Sequence, residues 1–479
     1  MILSGYPFNF QNSGIAMLDR RQFLTTAGLT AILGPSLAHG NDESSNALKG
    51  HGGPVLQQGH LFDLARAYQV MDEENLDALI VTRPINFYHF TGYLDHLAVR
   101  MDTPCSFAIL SRDEDLPSCV IMNQFIYYYS VADSNFQWDS TVNLFTGWGD
   151  KLTSEPGKKE SVERDVMPPF FFSSKDPKLD RKFEKDRLRA LNNILDNNTP
   201  SGSAQSALVK AVKNLKLDKA IIGIDDPVIE RIIKSANLSA RMIDGDYALR
   251  RIRMIKSPRE IELMRLAATV NAEAAVAAAV SLRSGATLHE LRASFFSHCG
   301  LRGNTPLFMQ IDTIMSETYN TEFKDGSGFA IDAVSQGFHY TGDFGRTVFI
   351  GEPVKTMRRA TDAIAVGWDA VRQKLKPGIR YSEIKEIGRR AIKDAGYDLS
   401  VAVTPHSVGL CHTDEPGRDG SGAYWQKDDL VLQENMIISV DMPVLHTGIG
   451  GSAHLEDLTL ITKDGSEPIH PVTDSIIIV

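Results

Sequence analysis

Asp332, Asp343, His406, Asp441 and Glu456 are the side chains of this chain whose types and settings suggest a shared chemical task. Asp332 ends the apolar run Gly328-Phe329-Ala330-Ile331, and Asp343 follows eleven positions later, just before Phe344-Gly345-Arg346-Thr347. A hairpin with Gly337 and Gly342 near its bend is expected to bring these two carboxylates face to face. Two carboxylates held together repel unless a proton or a cation sits between them. Taken alone, the pair reads better as two turn aspartates. The rest of the chain adds weight to the first reading. His406 lies in Pro405-His406-Ser407-Val408-Gly409-Leu410-Cys411-His412, Asp441 follows the apolar Ile437-Ile438-Ser439-Val440, and Glu456 opens Glu456-Asp457-Leu458-Thr459-Leu460. A charge at the edge of a buried strand is costly unless it is paired or metal-bound. Four acids and one imidazole form a mainly hard-oxygen ligand set, which suits Mn²⁺, Fe²⁺ or a similar ion at least as well as Zn²⁺.

These residues need a scaffold, and the surrounding patterns supply one. Ser257-Pro258-Arg259-Glu260 fits a capping box with Pro at the first helical position, and Thr287 with Glu290 fits a second. Helices are predicted from these caps through Ala279 and Cys299, and again over 356–375 and 382–395. Strand-like runs lie at 328–334, 346–350, 436–443 and 458–462. Residues 251–479 therefore read as an α+β domain with a mostly antiparallel sheet. Upstream, Leu61, Leu64, Ala65, Tyr68 and Met71 repeat at helical spacing, Leu76–Thr82 reads as a buried strand, and Asn86–Tyr93 as a loop into a short helix. With further strands at 105–111, 118–122 and 220–224, residues 57–250 form an α/β domain. The charge-rich segment Lys151–Lys185 reads as an insert. Its Phe170-Phe171-Phe172 is expected to anchor onto the chain's own second domain, with a partner subunit as the alternative.

Residues 1–40 are set apart from the fold. Arg20-Arg21-Gln22-Phe23-Leu24, a short apolar run to Leu37 and the small-residue stretch Ala38-His39-Gly40 follow the order of a twin-arginine export signal. Translation starting at Met17 fits this pattern better than Met1, and 41–56 reads as a linker. Periplasmic or secreted protein is expected, with no membrane span after signal removal. The chain has 479 residues and a net charge of -10, which excludes a general nucleic-acid binder. Its four cysteines make no CxxC pair, excluding a zinc ribbon or a thioredoxin-like motif. Cys105 and Cys119 read as buried thiols, with a cross-strand pair as the alternative.

The order Asp, Asp, His, acid, Glu resembles the pita-bread metallohydrolases, which include methionine aminopeptidase, aminopeptidase P, prolidase and creatinase. Leu76–Tyr93 is similar to the start of the creatinase-type N-terminal domain, and Arg250–Ile261 to the family's interdomain linker and first catalytic-domain helix. Asp343–Thr347 and Leu455-Glu456-Asp457 are similar to its metal strands. The resemblance implies two divalent ions, Mn, Fe or Zn, with Asp332 on one, Asp343 and Glu456 bridging, and His406 and Asp441 on the other. It implies a water activated between them, with Asp441 also handling the proton. A homodimer and a small peptide or small-molecule substrate are expected.

Four positions depart from the peptidase pattern. Asp441 stands where Glu is usual, and its shorter arm retracts the carboxylate by about 1.5 Å. Position 413 is Thr where a second His is usual, with His412 one residue earlier. Leu307–Phe329 carries no His, and His454 stands where many Xaa-Pro peptidases have Arg. The His-x-Val-Gly-Leu-Cys run, and the spacings of 35 from His406 to Asp441 and 15 from Asp441 to Glu456, resemble dimethylsulfoniopropionate lyases of the same fold. His412 falls at the offset of their catalytic residue. The leading expectation is an exported hydrolase of Xaa-Pro or related amide bonds. The alternative is a lyase or small-amide hydrolase with His412 as base, and a third reading is a metal-free binding protein with a decayed site.

Overall fold

The structure is a computed structural model that describes residues 60–104, 106–132, 140–146, 182–417 and 429–479. The predicted export signal, the linker, Cys105, the Phe170–Phe172 anchor and nearly all of the charged insert lie outside the described residues.

The first sheet has six strands: β1 (Ala78–Val81), β2 (Phe107–Ser111), β3 (Ser118–Asn123), β4 (Ser140–Phe145), β5 (Ile221–Ile224) and β6 (Arg241–Asp244). Their order is β4-β3-β2-β1-β5-β6, mixing parallel and antiparallel pairs. β1 and β2 are buried along their whole length because helices cover both faces. Those helices are α1 (Leu64–Glu73), α2 (Pro84–Thr91), α3 (His96–Met101), α4 (Lys182–Asn197), α5 (Ala204–Asn214), α6 (Pro227–Ser235) and α7 (Asp246–Met254). The short helix expected within Asn86–Tyr93 begins earlier, at Pro84. Pro84 can open α2, since a proline at the first helical position loses no intrahelical hydrogen bond. Cys119 is a free, buried thiol that accepts a contact from Asn143 Nδ2 at 2.8 Å.

The second domain opens on α8 (Pro258–Val280) and α9 (Leu288–Arg302). Both begin with the reciprocal capping boxes that their sequences announce, Ser257 with Glu260 and Thr287 with Glu290. α8 is long and apolar enough to cross a membrane by composition. Its Leu263, Met264, Ala267, Ala268 and Ala275 are instead buried within the domain. The second sheet contains β7 (Thr305–Ile311), β8 (Gly328–Gly337), β9 (Tyr340–Phe349), β10 (Thr404–Ser407), β11 (Ile437–Val444), β12 (Ala453–Ile461), β13 (Ser466–Pro468) and β14 (Ile476–Ile478). Its main path runs β10-β11-β12-β9-β8-β7, antiparallel throughout, and α10 (Lys355–Arg372) and α11 (Tyr381–Asp394) complete the domain.

The β8–β9 hairpin turns through Phe338-His339, both at positive φ (50° and 65°), with Gly337 flanking the turn and Gly342 close to it, as the sequence suggests. Gly342 sits inside β9 opposite Ser335, and a Cβ there would come 2.6 Å from the Cβ of Asn271 on α8. These glycines allow helix and sheet to approach closely. The two-residue turn pairs Asp332 with Gly345 and Asp343 with Val334. The two aspartates are therefore diagonal neighbours on one face, not directly opposed.

Candidate metal centre

The register of five strands assembles the site. Asp332 on β8 faces Gly345 on β9, and Gly345 faces Glu456 on β12. The pairs Ser439↔Leu458 and Met442↔Leu455 set Asp441 of β11 beside Glu456, and Asp441 pairs with Thr404 of β10. Asp343 lies two residues before Gly345, and His406 two after Thr404, so alternation turns both to the same face. All five sequence-predicted residues are thus brought together. His406 Nε2 lies 3.3 Å from Asp441 Oδ2, 3.4 Å from Glu456 Oε1 and 3.6 Å from Asp343 Oδ2. Ser439 donates its hydroxyl to Glu456 Oε1 at 2.6 Å.

Two further histidines join them. His412, on the loop after β10, points its Nε2 at Asp343 Oδ2 (3.3 Å) and packs edge-on to Phe308. The loop is held on every side. Thr341 N–H donates to Gly409 O at 2.8 Å, Asp414 N–H to Ser407 O at 2.8 Å, and Ser407 N–H to Glu415 Oε2 at 3.0 Å. Arg253 of α7 clamps the buried Asp414 carboxylate through Nε and NH2 at 2.7–3.1 Å, while its NH1 bonds Asn86 of the first domain. His454 shares β12 with Glu456, two residues before it. Its Nε2 lies 3.4 Å from Asp441 Oδ1 and 3.6 Å from Glu456 Oε2. Reasoning from the sequence noted His454 only as a departure from the family pattern. Its period-2 relation to Glu456 on one strand was the available signal.

Behind the acids, the fully buried Arg346 donates to Gly345 O (2.8 Å), Glu456 O (2.9 Å) and Asp457 Oδ1 (2.7 Å). It fastens β9 to β12 where the acids project. Stacking over the Phe344 ring at 4.1 Å covers its guanidinium.

The electrostatics call for positive charge. Burial, then the neighbouring Asp343, pushes Asp332 up to about 7. Burial, then Asp343 and Asp441, holds Glu456 well above the usual carboxylate range. Burial also opposes ionisation of Asp441, but His406 and His454 overcome it and hold this acid well below its ordinary value. Burial disfavours a charged His412, yet Asp343, then Asp332 and Asp441, outweigh it and push the imidazole up to about 9. Four such acids cannot all ionise without a cation among them. Asp332 Oδ1, both oxygens of Asp343, Glu456 Oε2 and His454 Nε2 are buried without a hydrogen-bond partner among the described residues. Buried polar atoms are seldom left so. Three groups converge closely enough to ligate an ion: Asp343 with His406 and His412, Asp332 with His454 and Glu456, and His406 with Asp441 and Glu456. The donor set fits divalent cations.

Residues 262–463 match the model of metallopeptidase family M24, and residues 64–196 that of the creatinase/prolidase N-terminal domain. The Xaa-Pro dipeptidase of Pyrococcus horikoshii is 28% identical over 251 residues, covering 50% of this chain and 68% of the relative. The crystal structure of the prolidase from the same organism superposes with a TM-score of 0.58 at 20% identity, over 86% of this chain and 99% of that one. A Bacillus anthracis Xaa-Pro dipeptidase structure gives 0.61 at 17% identity, over 87% and 99%. These superpositions establish the fold as the two-domain pita-bread arrangement. The chain belongs to metallopeptidase family M24, with a creatinase/prolidase-type N-terminal domain ahead of the catalytic one.

Proposed function

We propose that the chain is a metal-dependent hydrolase of Xaa-Pro or related amide bonds. The observation that carries this reading is the convergence of four carboxylates and three imidazoles on one sheet face, with several buried oxygens unpartnered. Asp332, Asp343, His406, Asp441 and Glu456 are the proposed ligands, Asp343 and Glu456 being shared. Two divalent ions held there, of Mn, Fe or Zn type, would supply Lewis acidity and a water of lowered pKa. The protein's own groups do the rest. Asp441, whose side chain is 25% exposed, takes the proton of the attacking water. His412, at the outer edge of the site, gives a proton to the departing nitrogen. Ser439 and Arg346 keep Glu456 in place, and the Arg253–Asp414 clamp keeps His412 over the acids.

A second reading, a lyase or small-amide hydrolase, is favoured by His412 itself. Its imidazole is 37% exposed and aimed into the site, as a base acting on a small substrate would be. The unpartnered buried carboxylate oxygens argue against a decayed, metal-free binding protein. Elemental analysis of purified protein, followed by turnover of Xaa-Pro dipeptides against small zwitterions and simple amides, tests all three. Turnover of zwitterions alone would sink the peptidase reading.

Export through the twin-arginine pathway and a homodimeric state complete the proposal. Arg20→Lys with Arg21→Lys should strand the protein in the cytoplasm, and an unchanged distribution on fractionation would count against export. Light scattering on purified protein tests the dimer.

A further inference from the structure

The geometry points to His454 as an additional protein ligand of the ion held by Asp332 and Glu456, making this site richer in nitrogen than its five-residue pattern implies. The inference rests on the metal-dependent reading above. His454 is buried, and its Nε2 finds no hydrogen-bond partner among the described residues. That nitrogen and the carboxylates of Asp332 and Glu456 offer ligand atoms all within 4.8 Å of one another. Its separations from Asp441 Oδ1 and Glu456 Oε2, 3.4 and 3.6 Å, are long for direct hydrogen bonds. The second is near the separation of two ligands on one ion: atoms about 2.1 Å from a metal and set at roughly 90–110° lie about 3.0–3.4 Å apart.

Space has been made for this ring. Gly345 stands between Asp332 and Glu456 in the row across the sheet. A Cβ on it would come 2.7 Å from both Cε1 and Nδ1 of His454. The imidazole therefore fills the volume that any side chain at position 345 would take. Asp441 has the shorter of the two acidic arms possible at its position, and the His454 imidazole reaches toward it. An added imidazole moves the preference of the centre from hard ions such as Mn²⁺ toward borderline ions such as Zn²⁺, Co²⁺ and Fe²⁺. The rival role is that of a cation: protonated His454 would merely neutralise the acids, as an arginine at this position would.

His454→Arg separates the two roles, because arginine supplies the charge but no ligand atom. The full chain is stripped of metal, and the wild type, His454→Arg and His454→Asn are titrated with Co²⁺ and Zn²⁺ by calorimetry. Bound metal is then counted by elemental analysis. For wild type we expect two ions, and for both variants one ion weakened by at least about tenfold, since even groups that only support a ligand cost about 10–100-fold. The Co²⁺ absorption bands should change with it. If either variant misfolds, Co²⁺-loaded His412→Ala protein supplies a direct count by proton NMR. Two metal-shifted imidazole N–H resonances, from His406 and His454, support the assignment, and a single one overturns it. Unchanged affinity and bands in folded His454→Arg would overturn the ligand role and leave the hydrolase reading standing. Wild-type protein that binds no ion overturns both.

Discussion

Gly345→Ala is the substitution most sharply defined by the geometry. The added methyl would lie 2.7 Å from two atoms of the His454 ring and 2.8 Å from the Cβ of Glu456. Ordinary carbon contacts begin near 3.5 Å, so each neighbour must retreat by about 0.7 Å or more. The ring can swing, but the Glu456 Cβ cannot move without its strand. That strand is paired to β9 at this point and tied to it by Arg346. Overpacking of this kind costs about 1–3 kcal/mol. At about 2–4 °C per kcal/mol for a domain of this size, the expected fall in Tm is roughly 2–12 °C. Ion affinity should fall as well, because His454 and Glu456 are the groups displaced. The assay is a thermal melt of metal-free and metal-loaded protein beside calorimetric titration. Gly300→Ala is the control. It lies on α9 with open space around its Cβ position, and should be neutral or stabilising by about 0.5–1 kcal/mol. Gly345→Ala protein with wild-type Tm and wild-type ion affinity would refute the packing argument.

The other predictions concern the acids, His412 and its clamp. Asp343→Asn should lower kcat/KM by at least about 10³-fold in a folded protein, since loss of Lewis-acid stabilisation is worth several kcal/mol; retained turnover with intact circular dichroism would contradict it. His412→Ala should lower kcat by roughly 10²–10⁴-fold at unchanged metal content; lost metal would make His412 a ligand instead. The metal-free protein also has a pH signature. The His412 pKa is raised on folding to about 9, from about 6.5 unfolded, so its stabilisation is complete below about 6.5 and is lost as pH rises through 9. Melts between pH 6 and 9 should therefore fall more steeply for wild type than for His412→Ala, and parallel curves would refute this. Asp414→Ala strands the buried Arg253 guanidinium, for a loss of about 3–5 kcal/mol in chemical denaturation; a loss under about 1 kcal/mol would mean that the clamp is not needed.

Much of the fold was legible because its signals are local. Ser257 with Glu260, and Thr287 with Glu290, announce helix starts within four residues of chain, and both caps form as read. The apolar runs that became β8, β11 and β12 were visible for the same reason. The hairpin was legible from Gly337 and Gly342 near its bend, but the turn residues themselves, Phe338 and His339 at positive φ, are not types that advertise a turn. The role of Gly342 became clear only with α8 against it.

By itself the sequence determined the kinds of residue available to the site and their order: two aspartates eleven apart, then a histidine, an aspartate and a glutamate at the edges of apolar strands. It also determined that no basic surface would dominate the chain. Tertiary structure decided which of these groups meet, and at what distance. The diagonal placement of Asp332 and Asp343, and the room that Gly345 leaves for the His454 ring, follow from the register of β8, β9 and β12. Register is a property of strand pairs, set by a turn and by packing against α8, so no single stretch of sequence contains it. The orientation of His412 is likewise decided by Asp414 reaching Arg253, a buried ion pair between residues 161 positions apart in the chain.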